Sequence, residues 1–554
     1  MKRIIAMLLA AVMVITMLAA CGGSGDEKGS SAPAESSSEK ADVTEEQGSE
    51  ENGPSAQELL DALPATLRDG EVIAVPEMYP DTDLSAPYTV YLYSLGGEPN
   101  DMADVVAKVN ERLAAFNTTL ELRTISWADA RTKYSLTLQA GEEIDAIFTA
   151  PWSYMWTEGQ KGSFFTLDDE FIEKYMPLTY KYQDHKFFEE TKLAGKMIAM
   201  PRNAEEPENK IFAIRQDLAE KYGITELKSW DDYMNYMLTI AEKETPESGI
   251  FAEAASGSNN EVLDVYRQQF DTFSISIGGL PFDYSYKGGV PDFEDITFRY
   301  ETDWYRAFCK DMKTLADAGC WSRSALNGDV SDDDAFASLQ GASIAWNGTV
   351  FSYMKQAEAT PGVVCAAYDV TTDHLATCSE ANNGDIAIAK ASRNPERTAM
   401  VLDLIKMDSE INRLFTLGIE GVHYNMESDG FHYTRIEGKT DDYAPNGMSI
   451  SWGTQNGLYE EAGAPDREKT MYDAWKERMV SSPTVTFIFD NANVQDYIDA
   501  VSSELSNHTA ALSLGLVDDV DAEIDGLINR LNEIGLPQIK EEFERQFAEW
   551  KAGK

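Results

Sequence analysis

The chain has 554 residues and is strongly acidic, with 46 lysines and arginines against 95 aspartates and glutamates and a formal net charge of −49. This charge argues against nucleic acid or a broad anionic lipid surface as a partner, since both are polyanions. The length is sufficient for two lobes or domains, and five cysteines are too few for a disulfide scaffold. Whether Cys309, Cys320, Cys365 and Cys378 form one or two bridges stays open at this stage.

The N-terminus has the pattern of a secretory signal. Met1-Lys2-Arg3 is basic, Ile4 to Leu18 is apolar and uncharged, and Ala19-Ala20-Cys21 ends the run with small residues and a cysteine. We therefore predict a signal peptide over residues 1–20. The segment up to Gln57 is rich in Gly, Ser, Glu and Ala and has nine acidic residues against two lysines. It cannot bury enough apolar surface to offset its ordering entropy, so a flexible acidic linker over residues 21–57 is expected.

The next stretch alternates between strand and helix patterns. Tyr88 to Ser94 alternates aromatic and β-branched residues, which predicts a strand, and Met102 to Phe116 repeats apolar residues at steps of three and four, which predicts a helix. Two further strands are predicted at Thr119 to Ile125 and Ile144 to Thr149, with a helix at Ala130 to Ala140 between them. The economical interpretation is a parallel α/β sheet.

The remaining elements are shorter or helical. Ser229-Trp-Asp-Asp232 has the spacing of a capping box before a helix, and Ser343 to Trp346 and Asp385 to Ala389 are predicted short strands. Asn394 opens another helix. From roughly Ala462 to Lys554 the sequence is rich in helix patterns.

Several segments together resemble bacterial extracellular solute-binding lipoproteins of ABC transporters, and they occur in the order found in that family. They are Asp145 to Trp152 at a strand end, Leu193 to Pro201 at the crossover between lobes, Ile214 to Gly223 at the start of the second lobe, Gln340 to Gly348 in a strand, and Asn382 to Arg397 in the return segment. Leu18-Ala-Ala-Cys21 resembles a lipobox. The part that includes Gly418 to Tyr424 resembles a subgroup with an extra C-terminal domain, often grouped with carbohydrate binders.

The resemblance implies an α/β fold with two lobes of the periplasmic-binding-protein type (type II), a hinge between the lobes and a helix-rich C-terminal part. The implied organisation is residues 58–205 as the first part of lobe 1, 206–380 as lobe 2, 381–420 as the return to lobe 1, and 421–554 as a C-terminal extension that packs on the lobes.

The resemblance also implies a function. A monomer lipid-anchored at Cys21 on the extracellular face of the cytoplasmic membrane would capture an oligosaccharide between its lobes and deliver it to ABC permease subunits. No Gly-x-Ser-x-Gly, phosphate loop or His-Glu-x-x-His motif occurs. We therefore expect no catalytic residue, no metal and no cofactor. A surface-anchored glycoside hydrolase, or a binder of peptide or another small polar solute, remains an alternative.

Candidate site residues follow from the chemistry of a sugar, which presents apolar C–H faces and a rim of hydroxyls. Flat aromatic rings suit the faces, and carboxylates and amides suit the rim. Residues beyond the carboxyl ends of strands are favoured, because α/β sheets place ligands there. The candidates are Glu98, Trp127, Asp145, Trp152, Tyr154, Trp346, Asn347, Phe351, Asn382, Asn383, Tyr424 and Trp452.

Several candidates have structural explanations that stay open. Asp145 alternates with apolar residues and is also explained as an acceptor of backbone hydrogen bonds. Asn382 and Asn383 also suit a turn. The family strand usually has Ala-Met where this chain has Ala345-Trp346, so the ligand-facing aromatic is either Trp346 or Phe351.

Overall fold

The computed structural model describes residues 53–141, 143–253, 255, 257–328, 331–439, 442–443, 458–463 and 466–553. The helices are α1 Ala56–Asp61, α2 Met102–Leu113, α3 Trp127–Ala140, α4 Met155–Gln160, α5 Asp169–Tyr175, α6 Pro177–Tyr182, α7 Gln216–Lys221, α8 Trp230–Lys243, α9 Thr245–Ser248, α10 Asn260–Gln268, α11 Asp303–Asp317, α12 Asp332–Ala337, α13 Val350–Glu358, α14 Pro395–Met407, α15 Ser409–Leu417, α16 Asp466–Arg478, α17 Gln495–Ser513, α18 Val520–Ile534 and α19 Leu536–Ala552. Within these ranges no helix is both long enough and apolar enough to cross a bilayer.

The strands are mostly short. They are β1 Tyr88–Leu95, β2 Thr118–Ile125, β3 Ala146–Thr149, β4 Lys192–Leu193, β5 Lys196–Met197, β6 Glu206–Pro207, β7 Ile211–Arg215, β8 Thr272–Ile277, β9 Leu280–Lys287, β10 Val290–Pro291, β11 Thr297–Phe298, β12 Ser343–Trp346, β13 Cys365–Tyr368, β14 Cys378–Ser379, β15 Asp385–Ile388, β16 Tyr424–Met426, β17 His432–Arg435 and β18 Glu460–Glu461.

The first lobe is built on the sheet β15-β3-β1-β2. β1 pairs in parallel with both β2 and β3, and β15 returns antiparallel to β3. The predicted parallel sheet is therefore confirmed. α2 covers it through Met102, Val105, Val109 and Leu113, which are all buried at helical spacing. α3 begins at Trp127, earlier than predicted, because the Ser126 hydroxyl caps it by accepting from the Asp129 amide.

The second lobe has its own antiparallel sheet, β12-β7-β13, beside the sheet formed by β8 to β11. Its core is aromatic: the rings of Phe212 and Tyr233 stack at 3.6 Å, and Trp230 lies against both. The predicted cap at Ser229 is present, since its hydroxyl accepts from the Asp232 amide and starts α8.

Two short strands connect the lobes. β6 leaves the first lobe and β14 returns to it, and they pair antiparallel with Glu206 opposite Ser379 and Pro207 opposite Cys378. This pair is called the hinge below.

The C-terminal extension contributes to the cores of both lobes. Tyr443 is buried with the apolar residues of the first lobe and donates a hydrogen bond to the Phe415 carbonyl. Trp475 of α16 is buried against the β12-β7-β13 sheet, and α17 to α19 complete the main core of the second lobe, where the Phe543 ring lies 5.1 Å from Phe282. The domain boundaries given above stay a prediction.

The four cysteines of the folded region are free thiols. Cys309, Cys320 and Cys365 are buried, and burial raises the pKa of each thiol to about 12. They act as small apolar side chains in the core.

Candidate ligand-binding site

Two tryptophans form an exposed aromatic surface on the first lobe. Trp127 follows β2 as the first residue of α3, and Trp152 follows β3, so both lie beyond the carboxyl ends of parallel strands. Their rings are 5.7 Å apart, and their exposed fractions are 49% and 58%. Adjacent exposed aromatic rings are typical of binding sites, so this pair indicates a surface on which a ligand stacks.

A series of polar contacts continues from these rings across the hinge. The Trp152 indole nitrogen donates to the Asn383 carbonyl at 3.0 Å, and the Asn383 amide donates to Ser379 Oγ at 2.6 Å and Glu208 Oε2 at 3.4 Å. Asn347, at the end of β12 in the second lobe, donates to Glu208 Oε1 at 3.1 Å. We call Trp127, Trp152, Glu208, Asn347 and Asn383 the interlobe site.

The second lobe supplies a third tryptophan beside this site. Trp346 is the last residue of β12 and half-buried, and the Lys210 ammonium lies 5.2 Å from its ring centroid. Lys210 also pairs with Glu261 at 2.8 Å. Of the two alternatives left by the sequence, Trp346 has the accessible ring, because Phe351 is buried in the core under β12.

Acidic side chains surround the hinge. Burial raises the pKa of Glu190 to about 7, with Glu205 and Glu380 adding to the shift, and burial raises the pKa of Glu380 to about 7 as well, with Glu208 and Glu205 adding to it. Arg202 is the local counter-charge: it donates to Ser379 Oγ at 2.8 Å and lies 3.5 Å from Glu206. No cluster of three or more metal-ligating side chains occurs within the described ranges.

Three predicted site residues make structural contacts away from the interlobe site, and their role in ligand binding stays a prediction. Asp145 is at the amino end of β3, where its oxygens accept from the Tyr88 hydroxyl, the Tyr91 amide and Ser392. Phe351 is a core residue of α13, as noted above.

Tyr424 is the third of these residues. It is buried in the β16-β17 sheet, and this burial raises the pKa of its phenol to about 12. Because Tyr424 is only 2% exposed, it offers little surface to a ligand in this conformation.

The remaining candidates divide between neighbours of the site and residues outside the described ranges. Asn382 is buried and tied to Glu190 by its backbone and side-chain amides, so Asn383 is the accessible member of the pair. Tyr154 stacks on Tyr134 at 4.4 Å, which makes it a support for the loop that holds Trp152. Glu98 is exposed after β1 at the same sheet edge and stays a prediction. Trp452 and Cys21 lie outside the described residues.

Sequence reasoning missed Glu208, which is in contact with both lobes, and Tyr472. Tyr472 comes from α16, and its hydroxyl is so close to Gly348 that a Cβ there would lie 1.9 Å away. Burial raises the pKa of Tyr472, and the neighbouring carboxylates Glu468, Glu206 and Glu208 raise it further. The signal for Glu208 was its position just after the predicted crossover; no local pattern pointed to Tyr472.

Two α/β lobes joined by a pair of antiparallel strands, with aromatic and amide side chains meeting at that junction, define the fold of a two-lobed solute-binding protein. The comparisons with known proteins agree. The chain is 23% identical over 485 residues, 84% of its length and 91% of the relative's, to a carbohydrate ABC transporter substrate-binding protein of Streptococcus pneumoniae.

Solved structures have the same fold. The N-glycan transport solute-binding protein NgtS of Streptococcus pneumoniae aligns with a TM-score of 0.68 at 20% identity, covering 84% of this chain and 100% of NgtS. The alginate-binding protein AlgQ2 aligns with a TM-score of 0.60 at 15% identity, covering 84% and 98%. The resemblance to two-lobed solute-binding proteins is thereby confirmed. Residues 483–552 also match the family described as a domain of unknown function, DUF3502, which corresponds to α17 to α19 and the loop before them.

Proposed function

We propose that this protein is the substrate-binding component of an ABC importer and captures an oligosaccharide between its lobes. The observation that carries the proposal is the series of contacts from Trp127 and Trp152 through Asn383 and Glu208 to Asn347. It combines exposed flat rings with amide and carboxylate groups at the junction of two lobes. Closure around a sugar would exclude water and strengthen each hydrogen bond.

The similar proteins support the same function. One is named as a carbohydrate transporter's substrate-binding protein, and NgtS has been solved with Man1GlcNAc, in a structure that aligns with a TM-score of 0.66. A sugar with two or more rings would place one ring on Trp152 and a second toward Trp346. Delivery to permease subunits is part of the proposal and is tested by uptake of the bound sugar in cells with and without the gene.

The proposed protein binds its ligand without cleaving it. A glycoside hydrolase needs two carboxyl groups held about 5–9.5 Å apart on either side of the scissile bond. In the interlobe site, both oxygens of Glu208 accept hydrogen bonds from asparagine amides. Incubation with glucan, xylan and mannan oligomers should leave them intact; new products on chromatography would support the hydrolase alternative.

The proposed location is the outer face of the cytoplasmic membrane, with residues 1–20 removed and a lipid on Cys21. Two acyl chains would hold the protein stably, whereas one chain alone gives marginal binding. The Cys21→Ala variant should appear in the culture medium or stay uncleaved and should not incorporate labelled palmitate. Equal membrane retention and labelling of this variant would reject the lipid anchor.

The deciding experiment is a thermal-shift and calorimetric screen of the purified protein against Man1GlcNAc, other neutral oligosaccharides and short peptides. A ligand that binds only the folded state adds about 2.7 kcal/mol of stability at a hundredfold excess over its Kd. We expect a sugar to raise the midpoint. A shift with peptides alone would overturn the ligand class, and no shift with any compound would overturn the binding function.

A further inference from the structure

Most charged side chains around the interlobe site are acidic, with Arg202 as the counter-charge near the hinge, and this bears on the class of sugar that fits. Glu208 is half-buried between the lobes, and Glu206 lies two residues before it on β6. Glu205 and Glu208 are close enough to Glu380 to raise the pKa of its carboxyl. On the basis of the proposed function, we propose that the ligand is an uncharged oligosaccharide and that the carboxylates at the hinge exclude sugars that carry a carboxylate, such as uronic acids.

Glu208 is suited to a sugar hydroxyl. Each of its oxygens accepts one hydrogen bond, from Asn347 and Asn383 respectively. A carboxylate has about four acceptor positions, so capacity remains for donors from a ligand. A hydroxyl can donate into that position, and a hydrogen bond to a charged acceptor is stronger than one to a neutral acceptor. A carboxylate of a ligand has no proton to donate and repels Glu208.

Two cations near the hinge, Arg202 and Lys210, already have acidic partners. Arg202 donates to Ser379 Oγ and the Glu380 carbonyl and pairs with Glu206, while Lys210 pairs with Glu261 and lies against Trp346. Using either cation for an anionic sugar would require breaking a partly buried pair. Recognition of a carboxylate normally relies on an arginine with two free parallel donors.

Arg131 is a cation near the site that could attract an anionic sugar. It follows Trp127 by one helical turn on α3 and is exposed. Water and salt screen an exposed charge, so its attraction for an anionic ligand is weak compared with repulsion from half-buried carboxylates. The experiment below therefore includes Arg131.

The fold itself does not decide the ligand's charge. AlgQ2, whose name assigns it to alginate, shares this fold, and alginate is a polymer of uronic acids. Discrimination between charged and uncharged sugars must then come from the side chains at the junction of the lobes. Like-charge contacts that penalise the wrong ligand are a common route to such specificity.

The test uses pairs of sugars that differ only at C6. β-1,4-Mannotriose and β-1,4-trimannuronate form one pair, cellotriose and its tri-uronate form a second, and Man1GlcNAc serves as an additional uncharged probe. Calorimetric titration of the purified protein should show binding of at least one uncharged sugar, with its uronate at least about tenfold weaker. In Glu208→Gln the difference within that pair should shrink several-fold, because glutamine removes the charge while it keeps one of the two acceptor oxygens.

Controls separate the site from the net charge. Glu111→Gln removes one exposed carboxylate on α2 and should leave the difference within a pair unchanged. Glu206→Gln is a second hinge variant in case Glu208→Gln folds poorly. The unchanged protein could bind the uronate at least as tightly as the uncharged sugar, and Arg131→Gln could abolish that binding. This result would overturn the inference and identify Arg131 as the anion contact. If uronates bind as tightly as their uncharged partners, the inference fails but the proposed function stands. If no sugar binds, the proposed function fails as well.

Discussion

The indole nitrogen of Trp152 donates a hydrogen bond to the backbone carbonyl of Asn383, with the two atoms 3.0 Å apart. Trp152 belongs to the loop after β3, and Asn383 belongs to the segment that returns from the hinge 231 residues later. The bond fixes the orientation of an otherwise exposed ring, which lowers the entropy lost when a ligand stacks on it. It also joins the stacking surface to the segment that returns from the hinge.

Trp152→Ala should weaken sugar binding at least about tenfold, the equivalent of about 1.4 kcal/mol, because the ring supplies apolar contact area. Its exposure of 58% means that unfolding stability should change by no more than about 1 kcal/mol. Titration calorimetry and urea unfolding of the same preparation measure both quantities.

Two further variants sharpen this prediction. Trp152→Phe keeps a ring but loses the hydrogen bond to Asn383, so it should bind with intermediate affinity. Leu136→Ala removes another exposed apolar side chain, farther along α3, and should bind like the unchanged protein. Equal affinity of Trp152→Ala and the unchanged protein would remove Trp152 from the site.

Phe351→Ala and Trp346→Ala should have opposite consequences. Phe351 is 7% exposed in the core under β12, so its truncation should cost about 3–5 kcal/mol of unfolding free energy. Trp346 is half-buried at the end of the same strand, so its truncation should mainly weaken sugar binding. Denaturant unfolding and calorimetry distinguish the two; a stable Phe351→Ala protein without sugar binding would reverse the assignment.

Trp346 and Phe351 also show how much of the site could be predicted from the sequence. The sheet of the first lobe was predictable, because β1, α2 and β2 carry clean periodicity. Trp127 and Trp152 were predictable as candidates because they follow strands, and Asn347 and Asn383 because amides suit the hydroxyls of a sugar. Which of Trp346 and Phe351 is accessible depends on α13 folding back over β12, a tertiary contact without local signature.

The other differences have the same origin. Asp145 and Trp152 flank one strand, yet only the carboxyl end faces the second lobe, while Asp145 meets Tyr88 and Ser392 at the opposite end. Tyr472 approaches Gly348 only because α16 of the C-terminal extension packs on the second lobe. Contacts between residues far apart in the sequence depend on topology, which periodicity and spacing do not determine.

Stability near neutral pH should depend on the carboxyl of Glu190. Burial raises its pKa in the folded protein to about 7 from an ordinary value of 4.5. The folded state therefore holds the proton more tightly than the unfolded state, and stability falls as pH rises from about 4.5 through 7. Glu190→Gln removes this titration, so its stability relative to the unchanged protein should grow over that range and level off above it, by at most about 3 kcal/mol.

Urea unfolding at pH 5, 6, 7 and 8 measures this difference. Glutamine can still accept the hydrogen bond from the Asn382 amide, so the variant should fold. Glu111→Gln makes the same change in net charge on an exposed helix and should show no comparable growth with pH. If the unfolding free energies of Glu190→Gln and the unchanged protein differ by the same amount at every pH, Glu190 does not titrate in this range.

The last prediction concerns the attachment of the C-terminal helices to the second lobe. Gly515, between α17 and α18, has a φ of +61°, and a Cβ there would lie 2.3 Å from the backbone carbonyl of Met312 in α11. Backbone atoms within a packed helix cannot move aside cheaply, and positive φ adds strain for any other residue. Gly515→Ala should therefore cost at least about 2 kcal/mol of unfolding free energy.

Gly526 is a matched control on α18. A Cβ at this position would meet only the end of the Arg530 side chain, at 3.3 Å, and the backbone is helical. Gly526→Ala should stabilise the protein by roughly 0.5–1 kcal/mol, because alanine favours the helix. If Gly515→Ala lowers and Gly526→Ala raises the midpoint of one and the same unfolding transition, α17 and α18 unfold together with the second lobe. A Gly515→Ala protein as stable as the unchanged one would mean that a Cβ at this position lies farther than 2.3 Å from the Met312 carbonyl of α11.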